Sequence, residues 1–173
     1  EDGYLGSGLR GKVVWLDNAY QDLAKDEVLW GSDSLISHVA GVLQPYSVDV
    51  LDDPIDERTP AMVCLSLTDE QEPEYPSPEA DDRVLGTFLE NWRRSLVRAV
   101  HFLGPATCSV NLECRDTPKA AGLANLQATL AIEAVPNTVL LFRPDVYDYS
   151  CASQEESLML ISNFLMPVPQ VSP

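Results

Sequence analysis

The chain has very little positive charge. Among its 173 residues only three are lysine and eight are arginine, against 27 Asp and Glu, so the formal net charge is −16. Binding to nucleic-acid phosphates or to anionic membranes depends on clustered Lys and Arg. This scarcity argues against direct nucleic-acid binding and against membrane binding. It favours a protein partner, and a basic protein would be attracted most strongly.

Other features are scarce or missing as well. No apolar run reaches the roughly 18–20 residues that cross a bilayer, and the chain shows no basic and apolar leader. Its two histidines and the lack of a Cys-x-x-Cys pair argue against a zinc site. Cys108 and Cys114 lie in one predicted strand, too far apart for a disulfide, and Cys64 suits a buried thiol. We therefore expect an intracellular protein, in the cytoplasm or the nucleus.

Negative charge is concentrated between Asp49 and Asp82. This stretch holds twelve acidic residues, a single basic residue and five of the thirteen prolines. Its second half, residues 68–82, reads as an acidic insertion whose prolines exclude helix and sheet interior. We expect a partner to bind this loop together with basic residues of the helix that follows it. The predicted partner-binding residues are Asp69, Glu70, Glu72, Glu74, Tyr75, Glu79, Arg94 and Arg98.

The apolar pattern predicts strands alternating with helices. Short apolar runs predict strands at residues 12–17, 47–51, 61–67, 108–114 and 138–142. Helical spacing predicts helices at residues 32–43, 84–103 and 153–166. Such alternation is typical of α/β proteins, and we predict a Rossmann-like or flavodoxin-like three-layer sandwich with about five mostly parallel strands. The alternative is an α+β fold in which residues 126–142 form an antiparallel hairpin.

The predicted organisation is a single domain. Residues 1–11 form a flexible leader, residues 12–167 the α/β domain with the insertion at 68–82, and residues 168–173 a tail. The leader contains the sequence Gly6-Ser7-Gly8-Leu9-Arg10-Gly11-Lys12, which fits two glycine-rich phosphate-binding patterns. Both patterns need a strand before the loop and a helix after it. Here a strand follows the loop, so we interpret the motif as part of the leader.

A metal site is one possible use of the acidic residues. In a parallel sheet the carboxyl ends of the strands meet at one edge, where ligands bind. Asp17, Asp52 and Asp53 follow predicted strands, and carboxylates are ligands that Mg²⁺ prefers. The sequence otherwise predicts no cofactor.

No residues form a recognisable catalytic set. We therefore predict a non-catalytic protein–protein interaction or regulatory domain of a larger protein or complex. Two alternatives remain: a Mg²⁺-dependent enzyme handling phosphoryl groups or nucleotides at the acidic strand edge, and an acidic inhibitor of a basic protein.

Overall fold

A computed structural model describes residues 11–16, 27–66, 82–116 and 126–169. Within these ranges the chain forms three α-helices and nine strands. In chain order they are β1 (Gly11–Leu16), α1 (Glu27–Leu43), α2 (Ser47–Leu51), β2 (Glu57–Arg58), β3 (Ala61–Ser66), α3 (Asp82–Arg94), β4 (Ser95–Pro105), β5 (Cys108–Cys114), β6 (Thr129–Ala134), β7 (Thr138–Phe142), β8 (Tyr147–Ser153) and β9 (Ser157–Leu165). None of the helices in these ranges is long and apolar enough to cross a membrane.

The strands form two antiparallel sheets that face each other. A six-stranded sheet has the order β1-β3-β9-β4-β7, with β2 also paired to β9, and a three-stranded sheet has the order β6-β5-β8. All seven strand pairings among the described residues are antiparallel. The chain passes from one sheet to the other between β4 and β5, between β6 and β7, and at both ends of β8. The result is a jelly-roll-like barrel.

Two apolar cores lie on opposite faces of the six-stranded sheet. The inner core fills the space between the sheets and includes Val100, Phe102 and Ile161. The outer core packs α1 against the other face through side chains such as Ile36 and Leu160. The three-stranded sheet is buried on one face only. Its central strand β5 shows this, because buried residues such as Leu112 alternate with exposed residues such as Glu113.

The predicted parallel Rossmann-like or flavodoxin-like sandwich is wrong, because the sheets are antiparallel. Residues 95–103 and 157–165, predicted as helix, are the strands β4 and β9. A strand buried on both faces carries a nearly continuous apolar run, and such a run also satisfies helical spacing. The predicted helix start at Ser153 is instead the β8–β9 turn, where the Ser153 hydroxyl donates to the Glu155 carbonyl at 2.6 Å.

Most of the other predicted strands and helices are present, and one predicted strand is a helix. Strands expected at 12–17, 61–67, 108–114 and 138–142 are present as β1, β3, β5 and β7, and α1 contains the helix expected at 32–43. Residues 47–51, predicted as a strand, form α2. The alternative hairpin within 126–142 is not formed, since β6 pairs with β5 and β7 pairs with β4. The division into leader, domain and tail stays a prediction.

Candidate functional site

A buried guanidinium lies at one end of the barrel. Arg98 belongs to β4, where side chains alternate between the two faces of the sheet, and it shares the inner face with Val100 and Phe102. Arg98 is only 2% exposed to solvent. Arg98 Nε donates to Asn163 Oδ1 at 3.0 Å, and the Ser95 hydroxyl donates to the same oxygen at 3.2 Å. These bonds fix the plane of the guanidinium.

Aromatic rings flank this guanidinium. Its central carbon lies 5.2 Å from the centroid of the Trp92 ring, in the last turn of α3, and 6.0 Å from that of Phe142, at the end of β7. Phe142 in turn stacks on Tyr149 with ring centroids 5.3 Å apart. Aromatic faces attract cations, more strongly where water is excluded. The rings therefore help to hold a positive charge inside the barrel.

A second guanidinium approaches the same indole from the other sheet. Arg115 directly follows β5, and its central carbon lies 6.0 Å from the Trp92 ring centroid. Its Nη2 forms an ion pair of 2.6 Å with Asp148 of β8. Arg115 Nε is buried and has no hydrogen-bond partner within the described part of the chain. Two cations thus converge on Trp92.

Thiols line another part of the inner core. Cys64, predicted to be a buried thiol, is buried and free. Its burial raises its pKa to about 12, although the positive charge of Arg98 acts in the opposite direction. A hydrogen bond from Cys151, assisted by Ser157 and Ser153, lowers the pKa of Cys108 to about 6 in spite of burial. The Cys108 thiol itself lies 3.3 Å from the Ser157 hydroxyl.

Both histidines lie outside the barrel interior. His101 stands between Val100 and Phe102 on β4 and therefore faces the outer core, where its Nδ1 lies 2.6 Å from the Ser32 hydroxyl of α1. Burial lowers the pKa of His101. His38 is exposed on α1. Neither imidazole therefore faces the guanidinium site.

The structure separates most of the predicted site residues. Arg94 is buried, and its guanidinium binds Glu57 and the Met166 carbonyl. Of the predicted residues that the structure describes, Arg98 alone therefore lies in the candidate site. Asp52 and Asp53 follow the helix α2 instead of a strand. The hydrogen bonds that Arg143 donates to Asp145 raise the pKa of Arg143, and the charges of Asp53 and Asp52 raise it further. Outside the described residues lie Asp17, Asp69, Glu70, Glu72, Glu74, Tyr75 and Glu79. Their roles stay predictions.

Comparison with known proteins gives a fold and no sequence family. No protein-family model matches the chain, and no curated protein matches its sequence. Solved structures do match it. A prolyl hydroxylase from Trichoplax adhaerens, in complex with a hypoxia inducible factor oxygen degradation domain peptide fragment, has a TM-score of 0.53 at 13% identity. This chain has a prolyl-hydroxylase-like fold.

The likeness extends over nearly the whole chain. It covers 95% of this chain and 65% of the Trichoplax adhaerens protein. A prolyl-4-hydroxylase from Pseudomonas putida has a TM-score of 0.52 at 15% identity, over 96% of this chain and 79% of that one. The chain therefore spans less than two thirds of the first of these relatives. At such low identity the prolyl-hydroxylase-like fold is what the two proteins share.

These relatives correct two predictions from the sequence. The expected non-catalytic interaction or regulatory domain, like its alternatives of a Mg²⁺-dependent phosphoryl-handling enzyme and an acidic inhibitor, is wrong, because the solved structures that share this fold are prolyl hydroxylases. The expectation of no cofactor, or of Mg²⁺, is wrong as well. The prolyl hydroxylases that share this fold depend on Fe(II) and 2-oxoglutarate.

The residues present do not fit an iron site of the kind found in non-haem oxygenases. Such sites use two histidines and one carboxylate with open positions on the metal. This chain has two histidines in all, and they lie on the outer face of β4 and on the surface of α1. Among the described ranges no three His, Cys, Asp or Glu side chains are placed to hold a metal. The guanidinium site, in contrast, fits a carboxylate.

The sequence predicted Arg98 as a partner-binding residue, but on a helix that would expose it. It did not predict the other residues of the site, which are Trp92, Arg115 and Asn163. The available signal was a charge inside the run Val97-Arg98-Ala99-Val100. A charged residue that interrupts an apolar strand is buried with its partners, and buried charges are expensive unless they are compensated.

Proposed function

We propose that this chain is a domain of prolyl-hydroxylase-like fold that binds a 2-oxo acid of the 2-oxoglutarate class through Arg98. The observation that carries the proposal is the buried guanidinium at the end of the barrel. The prolyl-hydroxylase-like fold supports it, since prolyl hydroxylases use 2-oxoglutarate. The proposal assigns to this chain the binding of the 2-oxo acid and no step at iron.

Each residue of the site has a role in this binding. Asn163 accepts a hydrogen bond from Arg98 Nε, and Ser95 holds the Asn163 side chain in place by donating to the same oxygen. A guanidinium binds a carboxylate through parallel hydrogen bonds that its N–H groups donate. Trp92 and Phe142 exclude water from the guanidinium, which strengthens its attraction for an anion. The expected ligand is therefore a small carboxylate.

Calorimetric titration of the metal-free protein with 2-oxoglutarate tests the proposal. We expect saturable binding by the wild-type chain and a loss of at least about 10-fold in affinity in Arg98→Gln, because a charge-assisted hydrogen bond contributes about 1.5–3 kcal/mol. Arg98→Lys keeps the charge but loses the fork, so its affinity should be intermediate. Arg93→Gln, which removes an exposed arginine near the site, is the matched control and should bind like the wild type.

Two results would overturn the proposal. One is a wild-type chain that takes up no 2-oxoglutarate at millimolar concentration. The other is an Arg98→Gln variant that remains folded, as judged by circular dichroism, and binds as tightly as the wild type. Arg98→Lys supplies the same comparison if Arg98→Gln does not fold.

We also infer that the protein partner is a basic peptide segment. The Trichoplax adhaerens relative is solved with a peptide, and the net charge of −16 favours basic sequences. Fluorescence anisotropy should show that a Lys/Arg-rich peptide binds more tightly than an acidic peptide of equal length. Its affinity should fall as salt rises from about 50 to 200 mM, since salt screens exposed charges. Equal binding of both peptides would contradict the inference.

A further inference from the structure

Two cysteines are neighbours on the inner face of the three-stranded sheet. Cys108 is the first residue of β5, Cys151 lies in β8, and both side chains are buried in the inner core. The strand register places Cys108 opposite Ser153 and Cys151 opposite Val110, so the two cysteines are diagonal neighbours across the ladder. Their thiols are free and form a hydrogen bond with each other.

The spacing of this pair is close to that of a disulfide. Diagonal neighbours in an antiparallel pair have Cα atoms about 7–8 Å apart, and a disulfide joins Cα atoms up to about 7 Å apart. A relative shift of the two strands by about 1 Å therefore allows the bond to form. The other two thiols are less well placed, because Cys64 belongs to β3 of the six-stranded sheet and Cys114 is at the opposite end of β5 from Cys108.

Cys108 has the properties of the reacting thiol. The thiolate, and not the thiol, attacks an oxidant. The hydrogen bond from Cys151 lowers the pKa of Cys108 to about 6, so the thiolate is populated at neutral pH. Burial instead raises the pKa of Cys64 to about 12, which keeps that thiol protonated. Within the inner core, oxidation should therefore begin at Cys108.

A surface depression lies beside Cys108. Its lining includes Thr107 and Ser109, the chain neighbours of Cys108, and Ser153, which is opposite Cys108 in the ladder. In the described part of the chain β8 is an edge strand that pairs with β5 alone. Local opening of one ladder costs less than global unfolding, and it would expose Cys108 to a small oxidant.

We propose that Cys108 and Cys151 are a peroxide-sensitive pair whose reversible disulfide links the edge strand β8 covalently to β5. In the first step the Cys108 thiolate attacks one oxygen of hydrogen peroxide. The O–O bond breaks, Cys108 becomes a sulfenic acid, and the released hydroxide takes up a proton to form water.

The second step closes the bond between the strands. The Cys151 sulfur attacks the Cys108 sulfur, the S–O bond breaks, and the hydroxide leaves with the Cys151 proton as a second water. The two cysteines together lose two electrons, which reduce the peroxide to two waters. A thiol reductant such as dithiothreitol or glutathione returns both electrons and restores the two thiols. The proposal needs no ligand at Arg98 and is independent of the proposed function.

The test treats the reduced chain with a small molar excess of hydrogen peroxide. Thiols counted after denaturation should fall from four to two, and peptide mapping without reduction should recover a peptide pair joined through Cys108 and Cys151. Dithiothreitol should restore all four thiols. The oxidised chain should melt at least about 4 °C above the reduced chain, because the bond restricts the unfolded state.

Variants separate the two steps. In Cys151→Ser the Cys108 sulfenic acid has no thiol to resolve it. Dimedone, which labels sulfenic acids, should therefore label Cys108 more strongly in this variant than in the wild type. Cys114→Ser is the matched control, since it removes the half-buried thiol at the other end of β5 and should keep the disulfide. Cys151→Ala replaces Cys151→Ser if circular dichroism shows that the serine variant is unfolded.

Three results would overturn the proposal. The first is a wild-type chain that keeps four thiols or loses them at Cys114 alone. The second is a disulfide that joins Cys64 or Cys114 to another cysteine in place of the Cys108–Cys151 bond. The third is a Cys108–Cys151 disulfide that leaves the melting temperature unchanged, since the bond would then not stabilise the pairing of β8 with β5.

Discussion

A single buried imidazole makes the stability of the domain depend on pH. His101 packs between β4 and α1, with its Nδ1 2.6 Å from the Ser32 hydroxyl, and burial lowers its pKa from the ordinary value of 6.5. Below that value the unfolded chain binds a proton at His101 that the folded chain resists. The unfolded state then binds more protons, so the free energy of unfolding falls as the pH falls. The full contribution is present only above pH 6.5.

We therefore expect His101→Asn to flatten the pH dependence of stability. Urea denaturation at pH 7.5 and at pH 5.5 should show a smaller loss between the two values in the variant than in the wild type. The carboxylates contribute a background that both proteins share. The exposed His38 provides the matched control, and His38→Asn should keep the wild-type slope. An unchanged slope in His101→Asn would show that the buried imidazole does not resist protonation.

The end of β4, where the chain leaves the six-stranded sheet for the three-stranded one, depends on one glycine. Gly104 has a φ of +93°, which residues with a side chain rarely adopt, and an added Cβ would lie 2.8 Å from Pro136 Cγ. Gly104→Ala should therefore reduce the free energy of unfolding by about 1–3 kcal/mol. Gly41→Ala is the opposite case, because Gly41 lies inside α1 and an added methyl group would meet no other atom. This substitution should increase the free energy of unfolding by about 0.5–1 kcal/mol. Thermal melts of both variants test the pair, and a Gly104→Ala chain as stable as the wild type would contradict it.

At the scale of elements, the sequence predicted β5 well, because one face of this strand meets solvent. β5 alternates between buried and exposed residues from Cys108 to Glu113, and the pattern predicted it with its observed bounds. β4 and β9 bury both faces, so their apolar residues follow one another without a period-two signal. Their partners are strands distant in the chain. No local pattern distinguishes such strands from buried helices.

The same limit applies to the site. Its residues come from α3, β4, the end of β5, β7 and β9, and only the strand pairing brings them together. Arg98 and Phe142 are direct partners between β4 and β7, and Arg98 and Asn163 are direct partners between β4 and β9. Once residues 95–103 were assigned to a helix, Arg98 was placed on its polar face beside Arg94. The sequence therefore predicted a functional role for Arg98, but it did not predict the side chains that surround its guanidinium.

The molecule as a whole is built around one sheet that is covered on both faces. Adjacent residues of β9 show this most directly, since Ile161 belongs to the inner core and Leu160 to the outer core, and both are fully buried. The inner core joins the two sheets, and the outer core attaches α1. Both cores must therefore form for the domain to be stable, although only the inner one borders the candidate site.

We expect Leu160→Ala and Ile161→Ala each to reduce the free energy of unfolding by about 2–5 kcal/mol, because each leaves a cavity in a packed core. Asn111→Ala, on the exposed face of β5, should change it by no more than about 0.5 kcal/mol. Urea denaturation of the three variants gives the comparison, and Ile161→Val and Leu160→Val provide milder changes if an alanine variant does not fold.

One outcome would contradict this account. If Leu160→Ala lowered the free energy of unfolding as little as Asn111→Ala while Ile161→Ala lowered it strongly, the six-stranded sheet would be stabilised from its inner face alone. α1 would then not form part of the cooperative unit, and the predicted pH effect of His101, which lies under the same helix, would be absent as well.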